Sequence, residues 1–301
     1  MNALNLNFTN SIEELQHINY EFDADDGIAW VYLDSYPKPC VTTQLVHDIR
    51  SFHRLIEVNN GKLPLGKELH TVNYHVLDSH IDGVFSLGGD LEFFLNTLTD
   101  NNKPALKKYA TDCINAIYPI MTNFDLPIVT ISLVRGNALG GGFEIALSGD
   151  VIIAEHSAMM GFPEILFNCF PGMGAYQTLA SRIGLHKAHK LISSGNLYSA
   201  EELYDMGIVD VLVDDHCGEE AVYNYVHNHK KNWNGNMAMQ KVNHYLKNYN
   251  REELLNICCN SWVDTVFNIT DKDIRTIKRL LRNQERYALK NEEVMKAVCA
   301  S

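Results

Sequence analysis

Asn137-Ala138-Leu139-Gly140-Gly141-Gly142-Phe143-Glu144, followed by Gly161-Phe162-Pro163-Glu164, sets two carboxylates beside a turn built from glycine. The first stretch comes after the apolar run Ile128 to Val134 and before Phe143 to Leu147. It therefore reads as a strand, a tight turn and a helix. Glycines let such a turn present bare backbone N–H groups to a ligand. The helix beginning near Phe143 adds the positive end of its dipole, so an oxygen gaining negative charge there would be stabilised.

A second turn of this kind lies upstream, at Phe85-Ser86-Leu87-Gly88-Gly89-Asp90-Leu91. It stands between a strand-like run, Thr71 to Leu77, and a helical pattern, Asp90 to Leu98. Either glycine cluster alone reads as a tight connection. Together they offer two N–H donors to one oxygen, with two carboxylates close by. Removal of a proton next to a thioester carbonyl forms an enolate, which requires such donors while a base takes the proton and an acid protonates a departing hydroxyl.

These residues resemble the crotonase, or enoyl-CoA hydratase/isomerase, superfamily. Gly-Gly-Asp-Leu is similar to its first oxyanion turn, Asn-Ala-Leu-Gly-Gly-Gly-Phe-Glu to its second, and Gly-Phe-Pro-Glu to its second-glutamate motif. The resemblance implies that the N–H groups of Gly89 and Gly141 hold a thioester oxygen. It makes Glu144 and Glu164 the acid/base pair, with Gly88, Leu139 and Gly140 lining the site. Glu164 would handle the α-proton and Glu144 the hydroxyl. On its own, Glu144 reads equally as a solvated first-turn charge, and Glu164 after Pro163 as a helix-terminal residue.

A narrower resemblance is carried by Met159-Met160-Gly161-Phe162-Pro163-Glu164-Ile165-Leu166-Phe167, Phe170-Pro171-Gly172-Met173-Gly174-Ala175-Tyr176, Gly195-Asn196-Leu197-Tyr198-Ser199-Ala200-Glu201 and Trp262-Val263-Asp264-Thr265. These stretches resemble the diffusible signal factor synthases, which make cis-2-unsaturated fatty acids for bacterial quorum sensing. The similarity runs from about Ile28 to about Arg286, and 1–26 matches least. It implies dehydration of a 3-hydroxyacyl carrier-protein thioester and then hydrolysis of the thioester. It also places Met173 beside the glutamates and Trp262 at the acyl end, with Leu280 and Leu281 nearby. Each of these also fits ordinary core packing. An ordinary enoyl-CoA hydratase or isomerase, and a regulatory protein held by the receiver domain of a sensor kinase, are the alternatives.

The fold class expected is α/β, a crotonase-like spiral of repeated β/α units with a helical C-terminal region. Up to about Val213, strand-like runs (Ile28–Leu33, Thr71–Leu77, Ile128–Val134, Val151–Glu155, Val209–Val213) alternate with helical stretches. After Asp215, Glu219–Lys230, Met237–Asn248, Arg251–Asn268 and Asp271–Leu289 all read as amphipathic helices. The division is thus 1–215 for the α/β core and 216–301 for the helical region, which in crotonases builds a trimer interface. A homo-oligomer, trimer or hexamer, follows from the resemblance. Ser199-Ala200-Glu201-Glu202 reads as a capping box with a purely structural meaning.

Composition narrows the partners. A formal net charge of −12 argues against nucleic acid. It also repels acyl carrier protein, itself acidic, unless a local basic patch offsets it. Arg275, Lys278, Arg279, Arg282 and Arg286 recur at helical steps and provide one, or else form a solvated face; Lys187 and Lys190 are a weaker second group. His70, His75 and His80 recur every five residues, which suits neither a helix face nor a strand face, and His227 and His229 have no metal-spaced companions, so no metal and no cofactor is expected. Seven cysteines without C-x-x-C spacing point to a reducing compartment and to no catalytic cysteine. Met1 to Gln16 lacks a cationic start and an apolar core, and no apolar run approaches a membrane span, so a cytoplasmic location is expected.

Overall fold

The computed structural model describes residues 15–299, apart from the side chains of Cys258 and of residues 288–299. The expectation for the N-terminal segment falls outside the described residues up to position 14, and so does the side chain of Cys258 from the adjacent Cys258-Cys259 pair. Six strands form the larger sheet: β1 (Ile18–Asp23), β2 (Ile28–Leu33), β5 (Tyr74–Ser79), β7 (Val129–Val134), β9 (Val151–Glu155) and β12 (Val211–Val213), in that spatial order. All its neighbours run parallel except β1 and β2, which form an antiparallel pair. Strands β2, β5, β7 and β9 are buried along their whole length. That burial is why each reads as an unbroken apolar run instead of an alternating one.

Four shorter strands form a second sheet in the order β11 (Leu197–Ser199), β10 (Met159–Gly161), β8 (Asn137–Leu139), β6 (Val84–Ser86). A small hairpin pairs β3 (Lys62–Leu65) with β4 (Glu68–Thr71). The two sheets are threaded by a repeated path. Each of β5, β7 and β9 lies in the large sheet and is followed directly by a three-residue strand, β6, β8 or β10, in the small one; a helical segment then returns the chain. Because β6, β8 and β10 lie side by side and parallel, their carboxyl ends are brought together.

The sequence expectation has neither β8 between the Ile128–Val134 run and its helix nor β6 between Thr71–Leu77 and its helix. The run expected at Thr71–Leu77 is split, with Thr71 closing the hairpin and β5 starting at Tyr74. Three residues are too few to show a period. In the helical region Gly218–Lys230 buries Ala221, Val222 and Val226 against the large sheet. The helix expected over Arg251–Asn268 is interrupted by a π-helical segment, Asn256–Trp262, and the one expected from Met237 begins at Trp233. The last helix, Asp271–Cys299, returns across the fold. The capping box at Ser199 forms in both directions.

The core also holds a histidine pair. His53 Nδ1–H donates to the Ala116 carbonyl at 2.9 Å, which leaves its Nε2 to accept from His75 Nε2–H at 3.2 Å. His75 Nδ1 has no partner among the described residues. Both rings are fully buried. Burial holds them neutral, pushing His53 well below its usual range and His75 from 6.5 down to about 4. In the unfolded chain they protonate near pH 6.5, so stability present above that pH is lost as pH falls towards about 4. The loss expected from His75 alone is roughly 3 kcal/mol. The difference in urea-unfolding free energy between the unaltered protein and a His53→Phe/His75→Phe variant, taken at pH 7 and again at pH 4.5, isolates it from the carboxyls; a difference that did not change with pH would show that the histidines do not cause it.

Candidate active site

The three turns that leave β6, β8 and β10 meet at one place, and each brings a different group. The first holds Gly88 and Gly89, the second Gly140 and Gly141, and the third Glu164. Val41 N–H ties the first turn by donating to the Gly88 carbonyl at 2.7 Å. Gly140 N–H ties the second to the third, donating to the Gly161 carbonyl at 2.8 Å. A methyl group placed on Gly141 would lie 3.5 Å from the Gly89 nitrogen, and one on Gly88 would lie 3.5 Å from the Gly141 nitrogen. The two turns are therefore in contact, and only hydrogen at these Cα positions leaves the gap open. Among the described residues nothing accepts from Gly89 N–H or Gly141 N–H. Gly141 opens the helix Gly141–Ser148, so its free amide is also at the positive end of that helix.

Glu144 stands in the first turn of this helix, fourth in line after Gly140, whose carbonyl accepts its N–H. Its side chain is 3% exposed. One carboxyl oxygen, Oε1, accepts from Met173 N–H at 2.6 Å and from Ala175 N–H at 3.1 Å. Glu164 is the second residue of the short 3-10 helix Pro163–Phe167, where the preceding proline sets the entry. As a residue it is partly exposed, yet its Oε2 is shut off from solvent and has no partner among the described residues.

Burial is the larger cause that raises both carboxyls from 4.5 to about 8. On Glu144 the backbone donors pull the other way, whereas on Glu164 the charge of Glu144 adds to the rise. The two groups thus share protons as a pair. When one negative charge is present it belongs on Glu144, which has donors to receive it, and the proton belongs on Glu164.

The groups open on a cavity of about 420 Å³. Its wall contains Gly88, Gly89, Leu139, Gly140, Gly141, Glu144, Glu164, Met173, Trp262 and Leu280. Leu281 is not on that wall; it packs against the core instead. Of the sequence-derived site residues, then, all but Leu281 are brought together. Met173 and Trp262 also belong to the core, at 9% and 7% exposure, so the pocket and packing readings hold at once. Phe94 meets Trp262 and Tyr109 edge to face, with ring centroids 5.2 and 5.6 Å apart, and Tyr109 O–H is fixed on the Val41 carbonyl at 2.5 Å. These rings, with Phe94 directly against Gly89, make that part of the wall rigid and apolar.

Sequence reasoning missed Phe94, Tyr109, Asn137, Gln284 and Tyr287, which also line the cavity. Asn137 precedes the glycine turn within the quoted motif, and its Nδ2–H donates to Tyr287 O–H at 3.2 Å. The others carry no spacing signal. Cys169 is buried at 3% exposure, as a small core residue. Among the described residues no group of three or more His, Cys, Asp or Glu side chains could hold a metal ion, and no helix is long and apolar enough to cross a membrane.

A profile described as enoyl-CoA hydratase/isomerase matches residues 67–263. The chain belongs to the enoyl-CoA hydratase/isomerase family. It is 31% identical over 157 residues to mitochondrial methylglutaconyl-CoA hydratase of Homo sapiens, covering 52% of this chain and 43% of that one. The chain spans less than half the length of the curated relatives it matches. Its fold is shared with enoyl-CoA hydratase from Bacillus halodurans at a TM-score of 0.72 and 22% identity, over 88% of this chain and 100% of that one. It is shared also with DspI of Pseudomonas aeruginosa, at a TM-score of 0.65 and 20% identity over 83% and 95% of the two chains. The α/β crotonase fold with its helical C-terminal region is therefore the fold of this protein, as the family's two oxyanion turns and second-glutamate motif had implied.

Proposed function

We propose that the protein is a lyase acting at the α and β carbons of an acyl thioester, with Glu144 and Glu164 as its acid/base pair and Gly89 and Gly141 as the oxyanion donors. The observation that carries this reading is the meeting of both carboxyls and both free amides in one apolar cavity. In the dehydration direction Glu164 takes the α-proton while the amides hold the enolate oxygen. Glu144 then gives its proton to the departing hydroxyl. Hydration is the reverse, and each direction begins from the opposite placement of one shared proton.

The narrower reading is a synthase of a cis-2-unsaturated fatty acid signal, which dehydrates a 3-hydroxyacyl carrier-protein thioester and then hydrolyses it. It is supported by the long motif resemblance, whose Met173 and Trp262 lie on the cavity wall. The exposed cations Arg275, Lys278, Arg279, Arg282 and Arg286 support an acidic carrier, because Arg286 also reaches the cavity. Reversing Arg279 and Arg282 to Glu is expected to raise KM several-fold for a carrier-protein thioester and to leave a short free thioester unaffected, as steady-state kinetics would show. An apolar, exposed stripe on Trp233–Lys247, with Met239, Val242 and Leu246 at 59–72% exposure, supports a homo-oligomer. A cytoplasmic site of action is part of the same reading, and the free thiols of Cys40, Cys113 and Cys169 fit it.

One observation favours an ordinary enoyl-CoA hydratase instead. When the pair carries a single proton, the backbone donors on Glu144 put the charge there and the proton on Glu164, which is the starting state for adding water. The test is mass spectrometry of products from 3-hydroxydodecanoyl-carrier protein, with double-bond geometry set against cis and trans standards. Free cis-2-dodecenoic acid is the result expected of a signal synthase. Unchanged substrate together with rapid hydration of crotonyl-CoA would replace that reading with the hydratase. In either case kcat/KM is expected to fall as pH rises above about 8, when the pair loses its last proton.

A further inference from the structure

Gln284 is the polar side chain of the last helix that reaches the first oxyanion turn. It lies 195 residues beyond Gly89 in the chain, and only 3% of it is exposed. Its Nε2 donates to two carbonyls of that turn, Leu87 and Gly89, each at 3.0 Å. Because both partners are acceptors, the amide must face them with its nitrogen. Its Oε1 is therefore turned away, shut off from solvent and without a partner among the described residues, in a residue that lines the cavity.

We propose that Gln284 is a positioning residue for the first oxyanion donor, and that its Oε1 accepts a hydrogen bond from a donor on the bound thioester. The two carbonyls bracket the Gly88–Gly89 unit, so one NH₂ group fixes both sides of the peptide that carries the Gly89 N–H. Glycine turns lack side chains that would otherwise restrain them, and Gly88 sits at φ +88°. Without the clamp the donor is free to swing away from the oxygen that it must meet. The orphaned acceptor makes the second half of the argument: a buried carbonyl oxygen without a partner is unfavourable, and binding a substrate N–H or O–H relieves it. This inference rests on the lyase reading above.

Two measurements separate the clamp from that reading. Hydrogen exchange needs no turnover: in Gln284→Met, which keeps length and apolar packing, exchange in the peptide spanning Leu87 to Asp90 is expected to quicken at least tenfold. For catalysis on N-acetylcysteamine thioesters, kcat is expected to fall by about 10²-fold, the scale of a misplaced catalytic group. KM should rise by less than tenfold, as for loss of one neutral hydrogen bond. A KM rise confined to 3-hydroxyacyl substrates identifies the hydroxyl as the donor, and an equal rise for enoyl substrates identifies the thioester's amide arm. Ile277→Ala loosens the same helix from the core without touching the turn. If it lowered kcat as far as Gln284→Met, or if Gln284→Met changed neither exchange nor kcat, the clamp would be overturned. Lack of turnover by the unaltered protein, with the exchange result intact, would instead remove only the lyase reading.

Discussion

Glu164→Gln is expected to lower hydration and dehydration by about 10³-fold, within the range that a positioned proton-transfer group contributes, and at the same time to stabilise the fold. The two effects have one cause. Glu164 is held in a site that gives its Oε2 no donor and sets it beside Glu144, so its folded pKa lies near 8 against 4.5 unfolded. A pKa raised by folding means that the folded state favours the neutral acid. Stability is then fully present below pH 4.5 and declines as pH rises towards 8. At pH 7 the cost is on the order of 3 kcal/mol. Glutamine is neutral throughout, similar in size, and escapes this cost. Its Tm should exceed that of the unaltered protein by roughly 5–10 °C at pH 7.5, with the difference vanishing near pH 4. Calorimetry at the two pH values decides the matter. A variant that is inactive and no more stable at pH 7.5 would mean that Glu164 is solvated, and its role as a buried acid would fail. Glu144→Gln should lose activity similarly and gain less stability, because Met173 and Ala175 N–H already satisfy the Glu144 carboxylate.

The same contrast between local pattern and tertiary context governs what the sequence discloses. Strands β7 and β9 are legible because they are long, apolar and bounded by turn residues; Val151–Glu155 in the chain is Val151–Glu155 in the sheet. The glycine turns are legible because their chemistry is local. What joins them is not, since β6, β8 and β10 have three residues each and no period to detect. Yet it is their parallel pairing that places Gly89, Gly141 and Glu164 in one cavity. The last helix shows the limit most clearly. Its basic face could be read from spacing, whereas Gln284 looks like any polar residue on an exposed helix until the fold lays it on the turn at Gly89. Leu280 and Leu281 are adjacent, chemically alike and both packed against the core, so only the rotation of the helix decides that the first also lines the cavity.

Gly140→Ala is expected to abolish more than nine-tenths of activity for a reason that stability measurements alone would miss. Gly140 sits at φ +51° and ψ −124°, outside the left-handed helical well, where an added Cβ costs about 1–3 kcal/mol of backbone strain. That Cβ would also stand 2.4 Å from Glu164 Oε1, a distance at which the carboxyl must move. The Gly140 N–H is committed to the Gly161 carbonyl, so the turn itself has little freedom to yield. Glu164 is therefore the group displaced, and if it transfers the proton as proposed, a shift near 1 Å is worth about 10²-fold in kcat. Strain and displacement are separable, because Gly66 has a similar φ, +60°, with nothing within 4 Å of its would-be Cβ. Gly66→Ala should thus lose stability to backbone strain and retain its kcat. Chemical unfolding and steady-state kinetics on both variants give the comparison. Stability lost in both variants with activity lost only in Gly140→Ala places the effect on Glu164, whereas parallel loss of activity in both would trace it to the fold and leave the contact between Gly140 and the carboxyl without catalytic meaning.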